Sequence, residues 1–267
     1  MEERRSEQRG KLSAYSNLLY RALRAAAEKA DSLAGAIGIF LLAGLIVAAI
    51  GTAIFVSVAS HVKSGSTQAF DDAVIRWMGA HHSSTIDDIM LEITALGTGT
   101  VVMMIVAVAG LFLVLTQHKY SAILLLVSTF GGLVLNGVLK LGFNRPRPSI
   151  FVPEVHAVSS SFPSGHAMSA AIVYGTVAYL AARLHKRMWA RTLVMTAALI
   201  VIVLISISRM YLGVHYPSDV IAGLAIGLAW AGFCMATLEA IQKFGTHRDP
   251  RILQDEKPAP GRRSEGS

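Results

Sequence analysis

Six stretches of this sequence stay apolar for about 18 to 27 residues each, at about residues 33–59, 95–116, 120–141, 166–184, 191–208 and 218–240. A run of that length has few folds open to it. A helix rises ~1.5 Å per residue, so roughly 20 apolar residues cross the hydrocarbon core of a bilayer. A helix also satisfies its own backbone polar groups there, where no water can. Composition agrees, with 53% hydrophobic and only 15% charged residues, against about a quarter charged in soluble domains. The pattern predicts an all-α, polytopic membrane protein in which six transmembrane helices form one bundle over residues 32–241. The first run is too long, and too far from the N-terminus, for a cleaved signal peptide.

The flanks read differently. Residues 1–31 are polar and basic, but Leu12, Tyr15, Leu19, Leu23 and Ala26 fall at helical spacing. That predicts an amphipathic helix on the inner membrane surface, with a mobile tail as the alternative. Residues 242–267, rich in Pro, Gly and charge, predict a disordered basic tail. Residues 60–90 form a polar stretch with Trp77 as an interfacial anchor. In that stretch Asp71, Asp72, Asp87 and Asp88, with His61, His81 and His82, show no specific metal-ligand spacing, and they read as solvated loop and helix-cap residues. The single cysteine, Cys234, lies in an apolar run and can build neither a disulfide framework nor a thiolate site. Gly223 and Gly227 form a GxxxG pair that permits close helix packing, within the chain or between chains.

Orientation follows from lysine and arginine. With six spans both termini share a side. That side carries 18 cations and the other six: Lys63, Arg76, Lys140, Arg145, Arg147 and Arg209. The termini are therefore expected in the cytoplasm and the six cations on the periplasmic or extracellular side. The net charge of +7 is explained by anionic lipid and calls for no nucleic acid.

Four of the six outer cations cluster at membrane ends, where ionisable residues are functional candidates by default. Three motifs carry them. Lys140 to Pro148 reads KLGFNRPRP at the exit of the third span. Pro163-Ser164-Gly165-His166 precedes the fourth. Ser208 to Asp219 reads SRMYLGVHYPSD and joins the fifth to the sixth. All three fall on one side of the expected topology.

These residue types suit phosphoryl transfer, whose transition state spreads negative charge over the equatorial oxygens and whose catalysis is mainly positioning and electrostatics. Lys140, Arg147 and Arg209 supply three positive charges. Ser164 and Gly165 stand where a helix begins, and free backbone N–H groups there favour an anion. His215 and Asp219 are four apart behind Pro217, so the carboxylate can orient one imidazole nitrogen and leave the other free to attack. His166 can protonate the leaving oxygen and then activate water. The scheme calls for no metal and no cofactor. Asn136, one turn before Lys140, either faces this pocket or bonds another helix. Glu154 and His156 read as ordinary loop residues.

Lys140-x6-Arg147-Pro148, Pro163-Ser164-Gly165-His166 and Ser208-Arg209-x5-His215-x3-Asp219 together resemble the tripartite signature of the type 2 phosphatidic acid phosphatase family. These lipid phosphate phosphatases share a superfamily with glucose-6-phosphatase and the vanadium haloperoxidases. The resemblance implies a phosphohistidine on His215 oriented by Asp219, acid–base work by His166, and phosphate binding by Lys140, Arg147, Ser164, Gly165 and Arg209. Arg145 lies outside the signature and is not counted as catalytic.

The expected function is thus hydrolysis of a lipid phosphate or pyrophosphate at the outer membrane interface. Undecaprenyl pyrophosphate, phosphatidylglycerol phosphate and phosphatidic acid share the reacting group, so the motifs leave the substrate open, with a slight preference for a polyprenyl carrier. Oligomeric state is equally open. Two alternatives stand beside hydrolysis: phosphotransfer to an acceptor lipid, and a non-catalytic binder of lipid phosphate. Retention of both His166 and His215 speaks against the binder.

Overall fold

The computed structural model describes residues 33–149 and 160–245. Glu154, His156, the segment 1–31 and the tail beyond residue 245 lie outside the described residues. The described residues form helices α1 (Leu33–Lys63), α2 (Gln68–Gly79), α3 (Ser84–Ala95), α4 (Gly99–Leu115), α5 (Lys119–Gly142), α6 (Gly165–Leu184), α7 (Met188–Tyr211) and α8 (Pro217–Gly245), with no strand among them. The class is all-α, as the apolar runs predict.

Five helices, α1, α5, α6, α7 and α8, are long and apolar enough to cross a membrane. The expected span at 95–116 differs. It is α4, 17 residues long, preceded by α3 and bent from it by 45°. Counting that pair as one broken span gives six. The break falls in Gly97-Thr98-Gly99, where two residues of poor helix propensity flank a threonine. Gly97 has a packing reason as well. A Cβ there would lie 2.9 Å from Cδ2 of His166 and 2.8 Å from Cγ2 of Ile205.

The polar stretch 60–90 is also more ordered than its composition suggests. It holds α2 and α3, the latter capped by Ser83, whose hydroxyl accepts the Ile86 N–H. Trp77 on α2 is 62% exposed, which suits an interfacial anchor.

Helix α6 sits at the centre. Its Met168, Ile172 and Val173 pack with Val102 and Val106 of α4 and Leu125 of α5 in the main apolar cluster, which also takes in Cys234. Outer faces carry exposed Leu45, Leu111, Val134 and Leu199, as expected where lipid tails replace water as the neighbour. The GxxxG pair packs within the chain. A Cβ on Gly223 would meet the Ser164 carbonyl oxygen at 2.6 Å, and one on Gly227 the Met168 carbonyl oxygen at 2.8 Å. Helix α8 therefore lies directly on the first turns of α6.

Gly223→Val is expected to cost about 1–3 kcal/mol through overpacking against a backbone that cannot yield. It should lower the thermal midpoint in detergent and reduce activity with it, because α6 carries His166 in its first turn. Gly137→Ala, where no atom lies within 4 Å of the added methyl, is the control and should leave the midpoint unchanged.

Candidate active site

The three motifs meet at one end of the bundle because each lies at a helix terminus. Lys140 stands in the last turn of α5, and Phe143, at extended φ and ψ, leads the chain out of the helix toward Arg145 and Arg147. Helix α6 starts at Gly165 with Ser164 as its N-cap residue. The Ser164 N–H donates to the Asp219 carbonyl at 3.0 Å, which ties the second motif to the third. After α7, the Arg209 carbonyl accepts the N–H groups of Val214 at 3.3 Å and His215 at 3.2 Å. That turn runs through Gly213 at φ +66°, a left-handed conformation that glycine adopts without strain. Helix α8 begins at Pro217, whose fixed φ suits a first helical position.

His215 is only 2% exposed. Nη1 of Arg147 donates to the Val214 carbonyl at 2.8 Å and lies 3.4 Å from Nε2 of His215. A guanidinium only donates, so Nε2 faces it as a lone pair and Nδ1 carries the proton. Burial pushes the His215 pKa down to about 4; Asp219 opposes the shift, and Arg147 and Arg209 add to it. The imidazole is therefore neutral at pH 7, the form required of a nucleophile.

The sequence predicts that Asp219 folds back onto His215. It does so at 3.7 Å from Nδ1, too long for a direct hydrogen bond. Ser161 lies beside the pair, its hydroxyl donating to Asp219 Oδ2 at 2.5 Å and lying 3.5 Å from His215 Nδ1. Oδ2 also accepts the Tyr216 N–H at 2.9 Å. Oδ1 accepts from Nη1 of Arg145 at 2.6 Å. Asp219 is fully buried, and this ring of donors is what permits a charge there.

His166 follows Gly165 in the first turn of α6 and lies within electrostatic reach of Arg209, His215, Lys140 and Arg147. Lys140 in turn feels Arg147, Arg209 and Asp219. All eight residues singled out from the sequence thus converge on one place. Arg209 is 4% exposed, and its Nη1 donates to Thr94 Oγ1 at 2.6 Å. Its Nε and the Ser164 hydroxyl are buried polar atoms with no hydrogen-bond partner, two donors of the kind an anion takes up. Asn136 lies against Gly165, its Nδ2 3.0 Å from where a Cβ would stand, so glycine is needed for this approach.

Several members of the cluster were not expected. Arg145 is no bystander. Besides Asp219 it holds Asp71, with Nη2 to Oδ2 at 2.8 Å, and the Ser218 hydroxyl at 2.8 Å. Burial works against its charge, but Asp219 and Asp71 overcome this and hold its pKa above the usual arginine value. Asp71 is not the solvated residue its polar surroundings predict. It is fully buried and accepts the N–H and hydroxyl of Ser218 at 3.0 and 2.6 Å. Asp87, in the first turn of α3 as a helix-cap reading expects and 23% exposed at its side chain, accepts the Tyr211 hydroxyl at 2.7 Å beside His82 at 3.1 Å. Thr94 and Ser161 carry no signal of their own in the sequence, since each serves a partner on a distant element.

Comparison with known proteins places this arrangement. The family model of the PAP2 superfamily matches residues 121–243. Phosphatidylglycerophosphatase B of Bacillus subtilis is 32% identical over 196 residues, covering 71% of this chain and 94% of that protein. Undecaprenyl-diphosphatase BcrC of the same organism is 30% identical over 160 residues, or 56% of this chain and 73% of its own. The crystal structure of a transmembrane PAP2 type phosphatidylglycerolphosphate phosphatase from Bacillus subtilis superposes with a TM-score of 0.65 at 28% identity, over 75% of this chain and 98% of that one. With its three motifs gathered at one end of a helical membrane bundle, this chain belongs to the PAP2 superfamily and is a membrane-embedded phosphatase.

Proposed function

We propose that the chain hydrolyses the phosphate or pyrophosphate group of a membrane lipid through a phosphohistidine on His215. The observation that carries this reading is the setting of one buried imidazole. Nδ1 of His215 faces Ser161 and Asp219, and Nε2 faces Arg147, within reach of His166 and three cations. Nε2 attacks phosphorus, the bond to the leaving oxygen breaks, and His166 gives that oxygen its proton. His166 then takes a proton from water, whose oxygen displaces His215 and releases inorganic phosphate. Asp219 faces the Nδ1–H side of the ring at 3.7 Å and balances the charge that His215 gains. Lys140, Arg147 and Arg209, with Ser164 and the Gly165 N–H at the start of α6, bind the phosphoryl oxygens.

A lipid substrate is supported by the site's position at the ends of membrane-spanning helices and by the names of the relatives, which act on phosphatidylglycerophosphate and undecaprenyl diphosphate. The distribution of lysine and arginine supports an outer, non-cytoplasmic location for the site. The test is phosphate release by purified protein from a panel holding phosphatidylglycerol phosphate, phosphatidic acid, undecaprenyl pyrophosphate and a soluble phosphomonoester, each with and without EDTA. Turnover of at least one lipid, well above the soluble ester and retained in EDTA, is expected. Turnover restored only by an added divalent cation would overturn the mechanism; preference for the soluble ester would overturn the substrate class.

A further inference from the structure

We propose that Asp71 on α2 is a positioning residue for the phosphoryl transfer, acting on Asp219 through Arg145 and Ser218. The inference rests on the roles given above to His215 and Asp219. Helix α2 precedes the residues that the superfamily model matches and carries none of the three motifs. Phe70 and Trp77 point outward at 58% and 62% exposure, while Asp71 and Ile75 are fully buried. The inward face of α2 thus carries one apolar residue and one carboxylate, and the carboxylate's partners help to hold the helix.

Asp71 meets two things. Its Oδ1 accepts the Ser218 N–H at 3.0 Å, in the first turn of α8, where backbone donors lack helical partners and a negative charge is favoured. Its Oδ2 accepts the Ser218 hydroxyl at 2.6 Å and Arg145 Nη2 at 2.8 Å. Ser218 immediately precedes Asp219, so Asp71 fixes the backbone that carries the catalytic carboxylate. Through Arg145 it also fixes the carboxylate itself.

The division of labour at Asp219 depends on this. Arg145 Nη1 occupies Oδ1, which leaves Oδ2 to Ser161, Tyr216 N–H and the Nδ1 side of His215. Arg145 keeps that pose because its other nitrogen is engaged by Asp71 and its Cζ lies 4.4 Å from the Tyr216 ring centroid. Remove the Asp71 charge and a guanidinium whose side chain is only 9% exposed is left with one carboxylate partner beside an incoming anionic phosphate. It is then drawn off Asp219 by that phosphate, or it rotates Asp219 away from His215. Asp71 prevents both without touching the reacting atoms.

The experiment compares Asp71→Asn, Arg145→Gln, the double variant and His215→Ala as full-length protein in lipid–detergent micelles, on whichever lipid phosphate the wild type turns over. Asparagine keeps the size and one acceptor for Ser218 but not the charge. Asp71→Asn should lower kcat by about tenfold or more, as losses of outer-shell support do, with KM within about twofold. The double variant should fall by clearly less than the product of the two single losses, the mark of two residues that share a path. Multiplicative losses in the double variant, or a loss that tracks the thermal midpoint with kcat per folded molecule unchanged, would overturn the proposal. Should Asp71→Asn fail to fold, Ser218→Ala takes its place. It removes the hydroxyl shared by Asp71 and Arg145 and should lower kcat severalfold at constant KM; wild-type kcat there counts against the proposal. An active His215→Ala protein defeats the mechanism itself, whereas inactive His215→Ala beside wild-type kcat in Asp71→Asn defeats only the role given to Asp71.

Discussion

His215→Ala is expected to abolish turnover, a loss of about 10⁴-fold or more, because it removes the atom that bonds to phosphorus. The protein should still fold. His215 is neutral at pH 7, since burial holds its pKa at about 4, so its removal strands no buried charge. Asp219 keeps Arg145, Ser161 and the Tyr216 N–H as partners. The truncation leaves a small cavity in a site already lined by polar groups, and the thermal midpoint should move by only a few degrees. The cations Lys140, Arg147 and Arg209 remain, so the variant should still bind the lipid phosphate competitively. Rapid quench with a labelled phosphoryl group should show an acid-labile, base-stable phosphoenzyme in the wild type and none in His215→Ala. Retention of more than about a hundredth of wild-type turnover would mean that water attacks phosphorus directly, with His215 at most a base.

How far the sequence foretold this arrangement depends on the range over which each feature is determined. Spans were legible because a bilayer imposes a length and a hydropathy on each segment independently. The break at Gly97 was not, since the apolar run was read as starting at about residue 95 and the reason for the glycine is the His166 ring, 69 positions later in the chain. Helix α2 was hidden for the opposite reason. Its polar residues read as solvated loop and helix caps, yet Asp71 faces inward to Ser218, which lies 147 positions away. The three motifs were legible because each lies at a helix end and combines residue types that one chemistry requires. Their supports were not. Ser161 and Thr94 are unremarkable hydroxyl residues in sequence, and only the fold brings one to Asp219 and the other to Arg209. Arg145 looked like one more cation in a basic run. Its neighbour two positions on, Arg147, faces His215, whereas Arg145 faces Asp219 and Asp71.

His166→Ala separates the two substrate chemistries that the motifs leave open. His166 has two tasks in the proposed cycle, protonating the leaving oxygen and later activating water, and general acid–base groups of this kind contribute about 10²–10⁴-fold. The tasks do not weigh equally for every substrate. A lipid phosphomonoester expels an alkoxide, a strong base that cannot leave readily without a proton. With such a substrate His166→Ala stalls before the covalent step and no phosphoenzyme accumulates. A lipid pyrophosphate expels a phosphate, a far weaker base, which Lys140, Arg147 and Arg209 can stabilise as it departs. Phosphorylation of His215 then proceeds, and the missing base slows only its hydrolysis. The expected result is a phosphoenzyme that forms in a burst and persists when the variant meets undecaprenyl pyrophosphate, and none when it meets phosphatidylglycerol phosphate or phosphatidic acid. Gly97 packs against the His166 ring, so the space left by alanine lies beside a backbone break rather than in the apolar core, and the stability loss should be small. Equal rates for His166→Ala and wild type on a phosphomonoester would show that another group delivers the proton. Multi-turnover rate and burst amplitude, measured on the same preparation, decide between these outcomes.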